Sequence, residues 1–173
     1  MLIEGELLRI FLPEREEKLH ESRNITMSVA IGELRSLGKH MRRVLIVEDT
    51  PADVRQSTAV VKKLGASDVI TFYNIAAAML FLQDVLEGTK PAPDLILLDL
   101  SFPRESGFEV LRYWKSNAKL HQIHVVVWTV MGDTEKKLCE FFGVEHVVPK
   151  WAGPKELEAA LKNFAPDLDV AQS

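Results

Sequence analysis

From Arg43 onward the residues predict a doubly wound α/β fold, a five-stranded parallel sheet with helices on both faces. Two patterns carry that prediction. Five short apolar runs alternate with five stretches of helical periodicity over about 125 residues. Right-handed crossovers between parallel strands then put helices on both sides of the sheet. The third run, Asp94-Leu95-Ile96-Leu97-Leu98-Asp99-Leu100, is apolar on both alternating faces, with Pro93 before it and a loop holding Pro103 and Gly107 after it. A central strand covered on both sides reads this way.

Each element follows in order. Val44-Leu45-Ile46-Val47 is a buried strand ending in Glu48-Asp49, after which Thr50-Pro51-Ala52-Asp53 opens a helix. Thr50 suits the N-cap, Pro51 the first helical position and Asp53 the third, a capping box with Asp in place of Glu. Val54, Val61 and Leu64 form the inner face, and Gly65 ends the helix. Asp68 to Phe72 is the second strand, Asn74 caps the next helix, and Ile75, Met79, Leu82 and Leu86 give its inner face up to Gly88. After the central strand, a helix from Gly107 carries Phe108, Leu111 and Trp114, and these aromatics are expected in the core. His124 to Thr129 is the fourth strand, Asp133 or Thr134 caps the fourth helix, and Gly143 follows its end. Glu145 to Pro149 is the fifth strand, and Pro154 starts the last helix, with Leu157, Leu161 and Phe164 inside.

A chain of 173 residues with 47% hydrophobic residues suffices for one ordinary core and a short appendage. The expected division is an N-terminal extension over 1–40, a globular domain over 41–167 and a tail over 168–173. Met1 to His40 hold six Lys or Arg and seven Asp or Glu, so charge does not set them apart. Leu7, Leu8, Phe11 and Leu12 share one helical face there, and Met27, Ile31 and Leu34 another, with the polar stretch Glu14 to Asn24 between them. A net charge of −4 without a basic block argues against nucleic acid as a partner. No apolar run approaches membrane-spanning length, and the N-terminus lacks a basic region followed by an apolar core. The single cysteine, Cys139, reads as a packed thiol in a reducing compartment, so a cytoplasmic protein is expected.

The candidate site lies at the carboxyl ends of the strands, where open α/β sheets bind ligands. At about 3.3 Å per residue, Asp94 and Asp99 are about 17 Å apart and cannot share a site. Asp99 is therefore selected, and Asp94 is left as a solvated residue at the strand start. Glu48-Asp49, Asp99, Thr129 and Lys150 follow four different strands and converge on this edge. Two carboxylates about 4 Å apart repel by about 4 kcal/mol at an effective dielectric near 20. Three together either raise a pKa or hold a cation. All-oxygen ligation with no His or Cys in reach points to Mg2+ rather than zinc. No G-x-G-x-x-G or G-x-x-x-x-G-K-[ST] follows any strand, so a dinucleotide or P-loop site lacks its phosphate cradle.

These residues resemble the response-regulator receiver domains of two-component signalling. The matching segments are Val44 to Asp49, Asp94 to Pro103, Val126 to Thr129 and Val148 to Lys150, within a likeness running from Arg42 to about Ala165. The resemblance implies a flavodoxin-like sheet with strand order 2-1-3-4-5. It implies that Asp99 accepts a phosphoryl group from a sensor histidine kinase or phosphotransfer protein. Asp49 would then bind Mg2+ directly, Glu48 through water or at one remove, and the Ser101 backbone carbonyl would complete the protein ligands. Thr129 and Lys150 would contact the phosphoryl oxygens. Pro51-Ala52-Asp53-Val54-Arg55 looks like the single-domain regulators paired with phytochrome-type kinases. No DNA-binding or enzymatic domain is expected after Phe164. Output would pass to a downstream protein partner, through a second phosphotransfer or through the N-terminal segment, and a homodimer is compatible with this. On this reading the protein is not an enzyme beyond its own phosphorylation and dephosphorylation.

The chemistry stands without the family. A carboxylate attacks an anionic phosphoryl group only when charge is neutralised, which Mg2+ and Lys150 would supply. The Thr129 hydroxyl can swing toward the new group, and the added charge can bias two packings of the nearby loops. The chain departs from the family at Val130, where a small residue is usual, at Val147, where an aromatic is usual, and at Trp151, where Pro is usual. Ser101 and Met131 occupy positions that in the family tune hydrolysis. A Lys-Pro bond there is commonly cis; with Trp151 the cis form costs about 3–4 kcal/mol, so a trans Lys150–Trp151 bond is expected, with Ala152-Gly153 redirecting the chain. Two other readings compete. A Mg2+-dependent phosphoryl-transfer enzyme or nuclease needs a second Asp where Asp99-Leu100-Ser101 has Ser, and a pseudo-receiver would keep the fold without phosphorylation.

Overall fold

The computed structural model describes residues 41–130, 132–144 and 146–164. The expected helical stripes around Leu8 and Ile31, Met131, Glu145, Ala165 and the tail lie outside the described residues. The elements run β1 Arg43–Val47, α1 Pro51–Lys63, β2 Asp68–Phe72, α2 Ile75–Glu87, β3 Leu95–Leu98, α3 Phe108–Ser116, β4 His124–Thr129, α4 Asp133–Phe142, β5 His146–Pro149 and α5 Pro154–Lys162. Short 3-10 turns occupy Ala118–Leu120 and Lys150–Ala152. The five strands form one parallel sheet in the order 2-1-3-4-5.

Strand alternation sorts the core into two layers. Leu45, Val47, Ile96, Leu98, Val125 and Val127 face one side, against Ile75, Ala78 and Leu82 of α2, Val110 and Leu111 of α3 and Cys139 of α4. Val44, Ile46, Leu95, Leu97, Val126 and Trp128 face the other, against Val60 and Val61 of α1 and Leu157 and Leu161 of α5. On that second side an exposed ion pair from Lys63 to Glu158 joins α1 to α5. Burying a Leu, Ile or Val contributes about 1.5–3 kcal/mol, and β1 after Arg43 and the whole of β3 consist of such residues, all buried. None of the described helices is long and apolar enough to cross a membrane.

Several expectations need correction. Thr50 precedes α1 but its side chain caps nothing; it donates to Asp49 Oδ1 instead. Asp53 is likewise drawn away from the helix end toward Lys150. Helix α4 is preceded by Gly132, whose N–H donates to Glu135 Oε2 at 3.0 Å, so neither Asp133 nor Thr134 is its cap. Phe108 and Trp114 are half-buried at the core margin rather than inside it. Strand β3 covers the four apolar residues Leu95–Leu98 rather than the whole stretch from Asp94 to Leu100, although Asp94 and Asp99 both donate their N–H groups to β1. Asp94 is exposed, as expected, and its Oδ2 accepts from the N–H groups of Arg42 and Arg43 at 2.9 and 2.8 Å, which fixes the start of β1. All described peptide bonds are trans, Lys150–Trp151 among them, and Gly153 (φ 82°) makes the turn into α5.

Candidate functional site

Strand register assembles the site. Val47 pairs with Leu98, so the next residues, Glu48 and Asp99, emerge side by side; Thr129 pairs with Pro149, which brings Lys150 next to it. Each ends or directly follows a strand that anchors it, and three of them are buried: Glu48 at 2%, Asp99 at 4% and Thr129 at 0% exposure. Asp49 is half-buried.

Asp99 is held by three groups. Its Oδ1 accepts from the Thr129 hydroxyl and from the Ser101 N–H at 3.1 Å, and its Oδ2 lies 2.7 Å from Lys150 Nζ. The Ser101 hydroxyl is 3.3 Å from Thr129 Oγ1, and Thr129 Oγ1 also accepts from the Leu100 N–H. Glu48 Oε1 accepts from the Thr50 N–H at 3.0 Å. Its Oε2 lies 2.7 Å from Lys150 Nζ but off the hydrogen-bonding direction, so that buried oxygen has charge pairing alone. Lys150 Nζ also lies 2.8 Å from Asp53 Oδ2, and 5.5 Å from the centroid of the Trp128 ring.

The charges do not balance. Glu48, Asp53 and Asp99 share one ammonium, and Asp49 adds a fourth carboxylate beside Glu48 and Asp99. Burial pushes the Glu48 carboxyl above the usual carboxylate range, with the Asp99 charge adding to the rise, against the lowering pull of Lys150 and the Thr50 N–H. For Lys150, burial alone would lower the pKa, but the Asp53, Asp99 and Glu48 carboxylates outweigh it and raise it, so the amine stays charged. Glu48, Asp49 and Asp99 each offer an oxygen within 4.8 Å of the others. An all-oxygen, net negative, mostly buried donor set with a hydrogen-bond-free Glu48 oxygen fits a hard divalent cation.

The loop after β3 is fixed from two directions. Ser101 pairs with Ser106 in an isolated bridge, and the Glu105 carboxylate accepts from the N–H groups of Ile75 and Ala76 at the start of α2, at 3.0 and 3.3 Å. Gly107 packs against the strand end itself: a Cβ there would sit 2.3 Å from the Asp99 carbonyl oxygen and 2.7 Å from Leu100 Cα. At the rim, Val130 and Trp151 are exposed.

All of Glu48, Asp49, Asp99, Ser101, Thr129 and Lys150 thus lie at one edge. Sequence reasoning missed Asp53, read as a helix cap, and the close approach of Gly107, read as a helix start. The signal for Asp53 was a third acid within one turn of the Glu48-Asp49 pair. No sequence pattern marks Glu105.

Comparison with known proteins agrees with this geometry. The chain is 38% identical over 100 residues to response regulator Rcp1 of Synechocystis sp. (strain ATCC 27184 / PCC 6803 / Kazusa), covering 57% of this chain and 68% of that protein. It spans 57% of the two-component response regulator ORR1 of Oryza sativa subsp. japonica, at 29% identity over 75% of this chain. Among solved structures it is similar to the Mn2+-bound form of Rcp1, with a TM-score of 0.62, 31% identity and coverage of 73% of this chain and 96% of that one. It is also similar to the phosphorylated cyanobacterial phytochrome response regulator RcpA, with a TM-score of 0.60, 30% identity and coverage of 72% and 91%. The sequence profile of the response regulator receiver domain matches residues 44–162, more than half of the chain. With that match, a 2-1-3-4-5 sheet and the acids gathered at its carboxyl edge, the chain belongs to the response regulator receiver domains of two-component signalling.

Proposed function

We propose that this receiver takes a phosphoryl group onto Asp99, in a Mg2+-dependent reaction, from a sensor histidine kinase or phosphotransfer protein, and signals through a protein partner. The observation that carries the reading is the Asp99 carboxylate, held between the Thr129 hydroxyl and the Lys150 ammonium beside the Glu48 and Asp49 carboxylates. An Asp99 oxygen forms the new O–P bond while the N–P bond of a phosphohistidine breaks, its electron pair leaving on the imidazole nitrogen, which takes up a proton. Glu48, Asp49, Asp99 and the Ser101 carbonyl would hold the Mg2+, which supplies positive charge against the phosphoryl oxygens. Lys150 brings a compact point charge to the same oxygens. The Thr129 hydroxyl, now donating to Asp99 Oδ1, transfers its bond to the phosphoryl group, and that exchange biases the loops after β3 and β4.

The phytochrome context of RcpA supports a phytochrome-type kinase as the donor. Residues 41–167 are the receiver, and 1–40 are dispensable for phosphorylation, since every proposed site residue follows Met41. The cytoplasm, where two-component partners meet and Cys139 stays reduced, is its place. Incubation with a small acyl phosphate, with and without Mg2+, followed by intact mass measurement tests the reading. One phosphoryl group added only when Mg2+ is present is expected; no addition under either condition contradicts it.

A further inference from the structure

Lys150 is shared by carboxylates from three elements. Its Nζ lies 2.7 Å from Glu48 Oε2 after β1, 2.8 Å from Asp53 Oδ2 in the first turn of α1, and 2.7 Å from Asp99 Oδ2 after β3. Glu48 and Asp99 belong, with Asp49, to the group whose oxygens lie within 4.8 Å of one another; Asp53 does not. A divalent cation on that group neutralises two of the three partners of Lys150. It also repels the ammonium twice as strongly as a monovalent ion at the same distance. Asp53 is the partner whose charge remains available to Lys150.

The fold fixes Asp53 for this task. Pro51 sets the first turn of α1 directly after the acid pair, and helical side chains lean toward the N-terminus, here toward the site. Buried Ser57 donates its hydroxyl to the Asp53 carbonyl at 2.8 Å, and the neighbouring Val54 is buried. The Asp53 side chain is 27% exposed, against 3% for Glu48 and Asp99, so it reaches Lys150 from the rim of the site while the other two partners lie inside it.

We infer that Asp53 is a positioning residue: it holds the Lys150 ammonium beside Asp99 when a divalent cation occupies the other carboxylates, so that the ammonium meets the incoming phosphoryl oxygens. The inference rests on the Mg2+-dependent phosphorylation of Asp99 proposed above. A positioning residue of this kind changes the saturated rate and leaves Mg2+ affinity alone, whereas a metal ligand changes the affinity.

The test uses the full chain as wild type, Asp53→Asn and Asp53→Glu. Three quantities are measured: the Mg2+ dissociation constant by calorimetry, the rate of phosphorylation by an acyl phosphate at saturating Mg2+, and the Lys150 Nζ position in Mg2+-loaded crystals. For Asp53→Asn we expect an Mg2+ affinity within about threefold of wild type, a saturated rate lower by about tenfold or more, and an ammonium displaced from Asp99. Asp53→Glu should recover much of the rate. An unchanged saturated rate with the ammonium still beside Asp99 overturns the inference. So does an affinity weakened about tenfold with the saturated rate intact, which would make Asp53 a metal ligand. A wild type that neither binds Mg2+ nor gains a phosphoryl group defeats the proposed function, and this inference with it.

Discussion

Replacing Gly107 with Ala sets two effects of opposite sign against each other. The backbone of Gly107 is right-handed helical (φ −57°, ψ −18°), a conformation any residue adopts. From conformational entropy alone, Ala would stabilise the protein by about 0.4–1 kcal/mol. The structure opposes this. The added Cβ would lie 2.3 Å from the Asp99 carbonyl oxygen, 2.7 Å from Leu100 Cα and 3.1 Å from the Asp99 carbonyl carbon, all of them backbone atoms that cannot rotate away. Reaching an ordinary contact needs about 1 Å of movement between the start of α3 and the end of β3, and overpacking of this kind costs about 1–3 kcal/mol. The net expectation is destabilisation by about 1–2 kcal/mol. With a urea m-value of about 2 kcal/mol/M, the unfolding midpoint should fall by about 0.5–1 M at unchanged m. The rate of phosphorylation by an acyl phosphate should fall as well, because the residue displaced is Asp99 itself. A midpoint equal to or above that of wild type would refute the steric argument and leave only the entropic effect.

Three further outcomes follow from burial, charge and domain limits. Because burial raises the folded-state pKa of Glu48, the folded protein binds more protons than the unfolded chain between the unfolded value and the raised one. Metal-free stability should therefore fall as pH rises through that window, and Glu48→Gln should raise the urea midpoint at pH 7 while weakening Mg2+ binding; a lowered midpoint would contradict it. Burial pushes the Cys139 thiol up to about 11, so at pH 8 about one part in a thousand is thiolate, and alkylation should be negligible until the protein is unfolded in urea. Native-state labelling as fast as that of a free thiol would show the site to be open. A chain beginning at Met41 should unfold cooperatively and take up a phosphoryl group at the rate of the full chain; loss of either would make the first forty residues part of the domain.

The sheet was legible because its signal is local and repeated. Apolar runs such as Val44 to Val47 and Leu95 to Leu98 admit little but buried strands, and the residue after each run falls at the carboxyl edge by counting. That is why the convergence of Glu48, Asp49, Asp99, Thr129 and Lys150 on one edge is legible in the sequence alone. What stayed hidden depends on distances between segments far apart in the chain. Asp53 satisfies the pattern of a helix cap, and only the position of Lys150, 97 residues later, turns it toward the site. Glu105 looks like a loop residue, yet it supplies acceptors for the start of α2, which has no acidic residue of its own in its first turn. The helix start at Gly107 was legible; its closeness to the Asp99 backbone was not, since a missing side chain leaves no mark of what it makes room for. Likewise Gly132 gave no capping signal, because it serves α4 through its backbone N–H.

The central claim is that Asp99 is the phosphoacceptor, and comparison of the wild type with Asp99→Asn by intact mass tests it most directly. Both proteins are incubated with a small acyl phosphate and Mg2+. The wild type should gain a single phosphoryl group, about 80 Da, and Asp99→Asn, which keeps the shape of the side chain but offers no carboxylate oxygen to form the O–P bond, should gain none. A gain that survives in Asp99→Asn would place the acceptor elsewhere and contradict the account.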